Sequence, residues 1–170
     1  MTTEQLDVTL DPTGTPSWTR VHAHTASLRE VVAALDAGGA LPDRPTGPFT
    51  DRGELLLALH GVWARRLHGR IDVALETDDG DLADCVGRAW LDTADDLPGV
   101  RRVLDEQAGH PALRHVLASE NRTVAVAAGL ATFDDRRATS AAAGARFVDA
   151  LRRRPTAPVA RVRWWRRITG

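Results

Sequence analysis

The chain has 170 residues, 43% of them hydrophobic and 26% charged, and its 22 basic and 23 acidic residues leave a net charge of −1. A chain of this size and apolar content can bury a core of its own, which excludes a wholly disordered protein and one that needs disulfides to fold. It also predicts a single domain, residues 1–170. The one cysteine, Cys85, cannot close a disulfide within the chain and is expected to be a buried, inert thiol.

The N-terminal segment, MTTEQLDVTLDP, has neither the basic start nor the apolar stretch of a signal peptide. The longest apolar runs fall far short of the roughly 18 residues that a membrane helix requires. We therefore expect a cytoplasmic protein that has no contact with membranes.

The predicted elements begin with an N-terminal arm or strand, residues 1–16. Apolar and polar side chains alternate from Leu6 to Asp11, and a turn-forming segment with two prolines follows. From residue 17 the apolar spacing becomes helical and stops at Gly38 and Gly39. Residues 39–49 contain three prolines and two glycines, which predicts a loop.

The longest periodic segment is residues 52–77. Asp51 and Glu54 match a capping box at its start. About 25 residues at about 1.5 Å each correspond to a helix of roughly 37 Å, which we expect at the centre of the fold. The predicted buried stripe consists of Leu56, Leu59, Trp63, Leu67, Ile71 and Ala74.

Four shorter helices are predicted after the central one. Asp81 is placed to cap the first of them, and Pro98 and Pro111 stand at the first positions of the next two, at about 98–108 and 111–131. The last should span about 140–153, and its small residues 140–144 would let another helix approach closely. The sequence thus predicts a mainly α fold, in which five to six helices form a bundle (17–154) around one long helix.

An acidic residue interrupts the apolar stripe of the helix predicted at 111–131. At about 100° per residue, Glu120 lies in the middle of this stripe. A carboxylate placed there must find a partner or lose its charge. The other members of the stripe are Leu113, Leu117, Val124, Ala127 and Ala131.

Three interpretations of Glu120 remain open. The same helical arithmetic places His60 and Arg70 at the two edges of the buried face of the 52–77 helix. The three side chains could form a pocket that binds a small ligand or handles a proton. Alternatively, Glu120 forms a structural pair with one of the other two, or it reaches water at an oligomer surface.

The remaining motifs do not predict a catalytic centre. The spacings Glu-x-x-His and His-x-x-x-His, which are typical of metal sites in helices, are absent. So are the glycine-rich loops of nucleotide-binding proteins and the Gly-x-Ser-x-Gly motif of hydrolases. We expect no metal and no cofactor, and we consider an enzyme less consistent with the sequence than a binding protein.

The C-terminal residues combine positive charge with tryptophan. Residues 151–170 contain seven arginines and no acidic residue, whereas the other 150 residues carry a charge of −8. Such a segment could bind nucleic acid or another polyanion, or an acidic partner protein. Alternatively, residues 155–170 form a strand that pairs with residues 1–16 in a two-stranded ribbon. The side chains concerned are Arg161, Arg163, Trp164, Trp165, Arg166 and Arg167.

The sequence favours a non-enzymatic protein that acts through protein–protein interaction or self-association. The expected contact surface comprises exposed parts of the 52–77 helix, the small residues 140–144 and the Arg/Trp tail, residues 155–170. Polyanion binding by this tail is the second hypothesis. A small-molecule or catalytic pocket around Glu120 and His60 is the third.

Overall fold

The computed structural model describes residues 17–45 and 47–153, with side chains from residue 21 onward. Over these ranges the protein is mainly helical, with six α-helices and no strand. None of the six is both long and apolar enough to cross a bilayer. The predicted ribbon of residues 1–16 and 155–170 lies outside the described residues. The helices are α1 (Ser17–Asp36), α2 (Arg52–Thr77), α3 (Leu82–Asp96), α4 (Pro98–Glu106), α5 (Pro111–Ala127) and α6 (Arg137–Arg152).

Helix α2 has the limits that the sequence predicts. The Asp51 carboxylate accepts a hydrogen bond of 2.8 Å from the Glu54 backbone N–H, which satisfies one of the free donors of the first turn. The reciprocal bond of a capping box is displaced by one residue, because Glu54 accepts from the backbone N–H of Thr50 at 2.6 Å. At the other end the extended backbone of Asp78 stops the helix.

Helix α2 contributes many of the core residues and contacts α1, α3, α4 and α5. Five of the six residues in its predicted stripe are buried, and Ala74 is half-buried against the same core. Burial of each large apolar side chain contributes about 1.5–3 kcal/mol, so this stripe accounts for much of the driving force for folding. The same core includes Val86 and Trp90 of α3, Val100, Val103 and Leu104 of α4, and Leu113 and Val124 of α5.

Helix α5 ends at Ala127, so the predicted continuation to residue 131 is wrong. Gly129 adopts a left-handed backbone conformation, with φ of 69°. The Gly129 N–H donates a hydrogen bond to the Val126 carbonyl oxygen, and the Leu130 N–H donates one to the Ala125 carbonyl oxygen. This Schellman arrangement ends the helix at the first glycine able to adopt the required conformation. Helix α4 likewise ends at Glu106, two residues before its predicted limit.

Helix α6 begins at Arg137, three residues before its predicted start, and packs most extensively against α5. The small residues permit this contact: Ser140 and Gly144 are buried, and Gly144 lies against the backbone of Asn121. The close helix approach predicted for residues 140–144 therefore occurs within the chain. It also means that these two residues are unavailable to a partner protein.

Candidate functional site

Glu120 is the centre of a buried polar network between α2, α4 and α5. Its Oε2 lies 2.8 Å from His60 Nε2, and its Oε1 accepts a hydrogen bond of 3.0 Å from Trp63 Nε1. Arg101 Nη1 is 3.9 Å from the same Oε1. An ionised carboxylate only accepts hydrogen bonds, so it pairs with the His60 tautomer that carries a proton on Nε2. Two N–H donors and a nearby guanidinium thus compensate for the removal of Glu120 from water.

Arg101, only 6% exposed, is held by aromatic rings and a carboxylate. Its guanidinium carbon lies 4.7 Å from the centre of the Trp63 ring and 5.9 Å from that of Trp90. The two indoles meet edge to face at 5.6 Å. Asp105 accepts from Arg101 Nη2 at 2.6 Å. Cation–π contacts and the ion pair together explain how an arginine is accommodated inside the fold.

Helix α6 adds a second arginine to this network. Arg152 contacts the Asp105 carboxylate, and its guanidinium carbon lies 5.8 Å from the Trp90 ring centre. It also pairs with Asp149 at 2.9 Å. Arg152 is one of the seven arginines of the basic segment 151–170. Its contacts show that part of this positive charge is matched by acidic residues of the helical core.

Two of the three side chains predicted to share a pocket are in contact. His60 and Glu120 are paired, as the structural interpretation predicts, while a role of this pair in ligand binding stays a prediction. Arg70 lies elsewhere, because ten residues of helix place it about 15 Å from His60 along α2. It donates to Asp96, which also accepts from Arg66 at 2.8 Å. The tail side chains predicted to bind a partner or polyanion, from Arg161 to Arg167, lie outside the described residues.

Sequence reasoning missed Trp63 and Arg101 as partners of Glu120. Trp63 was correctly placed in the buried stripe of α2, but the stripe alone does not indicate where its indole N–H points. The burial of Arg101, by contrast, could have been predicted from its spacing in the sequence. It follows Leu97 by four residues and precedes Leu104 by three, so it shares a helix face with two apolar residues.

A small polar chamber opens beside the network, between α2 and α5. Its volume is about 180 Å³. His60 forms its buried side, whereas His68 and His115 are exposed at its mouth. We call this cavity the polar chamber. It is lined by His60, Ala64, His68, His115, Val116, Ser119, Glu120 and Thr123.

A larger apolar groove continues from the chamber, with which it shares His68 and Thr123. Its volume is about 620 Å³. Helices α2 and α5, the start of α3 and the segment after α5 form its walls. We call it the apolar groove. Its other lining residues are Ile71, Asp72, Leu75, Leu82, Arg122, Val126, Ala127 and Phe133.

The segment that carries Phe133 is anchored at two points. Arg122 Nη2 donates a hydrogen bond of 2.9 Å to the Phe133 carbonyl oxygen. Asp135 accepts from the Thr132 N–H at 2.6 Å, and this bond lowers the pKa of the Asp135 carboxyl group below its ordinary value. These contacts hold the backbone while the Phe133 side chain stays exposed.

The lowered pKa values of Asp96 and Asp78, two residues outside the network, predict that stability depends on pH. The hydrogen bond from Arg66 and the charge of Arg70 lower the pKa of Asp96, and the Gly80 N–H and Arg88 lower that of Asp78. Folding therefore favours the ionised forms. The contribution of these groups to stability is complete above the unfolded pKa, near about 4, and is lost as the pH falls through the folded pKa.

We expect the melting temperature to fall as the pH is lowered from about 5 to about 2. Asp96→Asn should flatten this part of the curve, at a cost of less than about 1 kcal/mol at neutral pH, because the pair is partly exposed. Asp95→Asn is the control, since Asp95 is exposed and has no ion pair in the described ranges. Identical pH profiles for wild type and Asp96→Asn would contradict the prediction.

Cys85 is buried and unpaired with another cysteine, as predicted. Its Sγ lies 3.6 Å from Arg88 Nη2.

Within residues 17–45 and 47–153, no three or more histidine, cysteine or acidic side chains are arranged to hold a metal ion.

No protein-family model, curated protein or solved structure matches the chain. The polar chamber and the apolar groove are therefore the features of this chain from which a function can be proposed.

Proposed function

We propose that the protein is an interaction protein that associates with a second copy of itself through the apolar groove. The observation that carries this proposal is Phe133, whose side chain is 77% exposed at the edge of the groove. Leu75 and Leu82 extend the exposed apolar surface along the same walls. Contiguous exposed apolar surface beside a groove is typical of protein contact sites.

A projecting side chain and a groove on one face suit a two-fold symmetric dimer. In such a dimer both copies use the same surface, so this surface must carry a projection as well as a depression. Phe133 is the projection and the groove is the depression. In the proposed dimer, Phe133 of each copy enters the groove of the other and packs against Ile71 and Val126.

The charges at the groove support the same pairing. Asp72 of α2 and Arg122 of α5 both line it. In the proposed dimer Asp72 of each copy pairs with Arg122 of the other, and two-fold symmetry makes this ion pair form twice. Arg122 uses Nη2 for the Phe133 carbonyl oxygen. Its Nη1 forms no hydrogen bond to another described residue, and its Nε is buried without a partner in the described ranges. The guanidinium can therefore still donate to a carboxylate.

Sedimentation velocity over a wide range of protein concentration tests the proposal. We expect a dimer for the wild type and a monomer for Phe133→Asp, because burial of the new carboxylate would oppose association. Leu57→Asp is the matched control: Leu57 is 41% exposed on the same α2 but lies outside the groove, so the dimer should persist. A monomeric wild type, or a dimer unaffected by Phe133→Asp, would refute the proposal.

A charge reversal tests the predicted ion pair. Asp72→Arg should weaken the dimer about tenfold or more, because it places two guanidinium groups together. Asp72→Asn, which removes the charge without reversing it, should weaken the dimer less. A dimer unaffected by Asp72→Arg would contradict this arrangement of the two copies.

A further inference from the structure

We propose that the polar chamber binds a small uncharged molecule that both donates and accepts hydrogen bonds, such as a carboxamide or a hydroxylated compound. The chamber adjoins the apolar groove, with which it shares His68 and Thr123, but the proposal does not depend on self-association.

The ring of His60 is oriented towards the chamber by the buried network. Its Nε2 is held by Glu120, which is itself held by Trp63. The imidazole side chain is 11% exposed, and it lines the chamber. Nδ1 has no hydrogen-bond partner within the described ranges. A fixed ring with one free nitrogen is a polar contact for a ligand, because a group locked by its neighbours loses little entropy on binding.

The wall formed by α5 adds further unpaired polar groups. Neither the Ser119 hydroxyl nor the His115 ring forms a hydrogen bond to another described residue. The Thr123 hydroxyl donates to the Ser119 carbonyl oxygen at 3.2 Å, so its oxygen remains able to accept. Hydroxyl and imidazole groups can each donate and accept hydrogen bonds. They therefore match a ligand that does both.

The charges at the chamber argue against an ionic ligand. Glu120 is the only carboxylate among the lining residues, and no arginine lines the cavity. The Glu120 charge is already compensated by His60, Trp63 and Arg101. A ligand carboxylate or ammonium would therefore lose water without gaining a permanent opposite charge, which costs more than the transfer of a neutral amide.

The volume of the chamber indicates what size of ligand it can enclose. An engineered protein cavity of about 150 Å³ holds one benzene molecule. The chamber, with about 180 Å³, has room for a single ring with a short polar substituent. Benzamide, benzoate and benzylammonium have this size and differ chiefly in charge, so they are suitable probes.

The test is a titration of the full chain with each probe at pH 8, where free imidazole is uncharged. Binding is followed through the assigned ring signals of the six histidines in NMR spectra. We expect benzamide to shift the His60 and His115 signals with a Kd on the order of millimolar, and not those of His22 and His24. Benzoate and benzylammonium should bind at least about tenfold more weakly.

Two variants of the chamber and one control complete the test. Ala64→Leu fills the cavity without touching the network and should abolish benzamide binding, whereas Ser119→Ala should weaken it several-fold. Val73→Leu is the control on α2, because Val73 is exposed and lines a different cavity, and it should leave binding unchanged. No benzamide binding, tighter binding of a charged probe, or unchanged binding by Ala64→Leu would each overturn the proposal.

Discussion

Glu120→Ala is expected to lower the free energy of unfolding by about 3–5 kcal/mol, as measured by urea denaturation. The substitution leaves the His60 and Trp63 ring N–H groups without their acceptor. It also removes one of the two carboxylates near the buried Arg101 guanidinium. Each group would stay desolvated without its hydrogen bond or counter-charge, which is the costly way to disrupt a buried pair.

Two matched variants distinguish the loss of this network from the general effect of removing a carboxylate. Glu30→Ala, on the exposed side of α1, should change stability by no more than about 0.5 kcal/mol. Glu120→Gln should cost less than Glu120→Ala, because its amide oxygen can still accept from Trp63. If Glu120→Ala cost less than about 1 kcal/mol, the network would not depend on Glu120.

Gly144→Ala is expected to destabilise the protein by about 3 kcal/mol or more. A β-carbon at this position would lie 1.8 Å from the carbonyl oxygen of Asn121 and 2.6 Å from its carbonyl carbon. Both atoms belong to the backbone of α5, so the clash cannot be relieved by a side-chain rotation. Helices α5 and α6 would have to separate, and the packing of Val148 and Leu151 would loosen with them.

Gly69→Ala is the control for the intrinsic preference of alanine in helices. Gly69 lies inside α2, and a β-carbon there would meet no atom within 4 Å. The change should therefore raise the free energy of unfolding by about 0.5–1 kcal/mol. If Gly144→Ala lowers the free energy of unfolding and Gly69→Ala raises it, the loss of stability at Gly144 is due to the contact between α5 and α6. A stable Gly144→Ala protein would mean that α5 and α6 can move apart at little cost.

The sequence by itself determined the parts of the fold that local signals specify. Asp51 and Asp81 accept from backbone N–H groups at the starts of α2 and α3, and Pro98 and Pro111 occupy the first positions of α4 and α5. These residues act within one helical turn, so the printed sequence suffices to locate them. The end of α5 was misplaced because apolar periodicity outweighed Gly129 in the prediction, whereas the left-handed glycine decides the helix end.

Periodicity likewise identified which helix faces are buried, including that of Glu120. It could not identify the neighbours of those faces, because contacts between helices depend on how distant segments pack. Only the tertiary structure decided that Glu120 meets Trp63, 57 positions earlier in the chain, and that Arg70 turns to Asp96 instead.

The polar chamber and the apolar groove are likewise products of the tertiary structure. The residues that line the polar chamber and the apolar groove come from α2, α5, the start of α3 and the segment after α5. Both cavities therefore exist only where α5 packs on α2. Helix propensity and amphipathic pattern specify one element at a time. A cavity is the space that packed elements leave between them, and its shape follows from the packing of all the surrounding side chains.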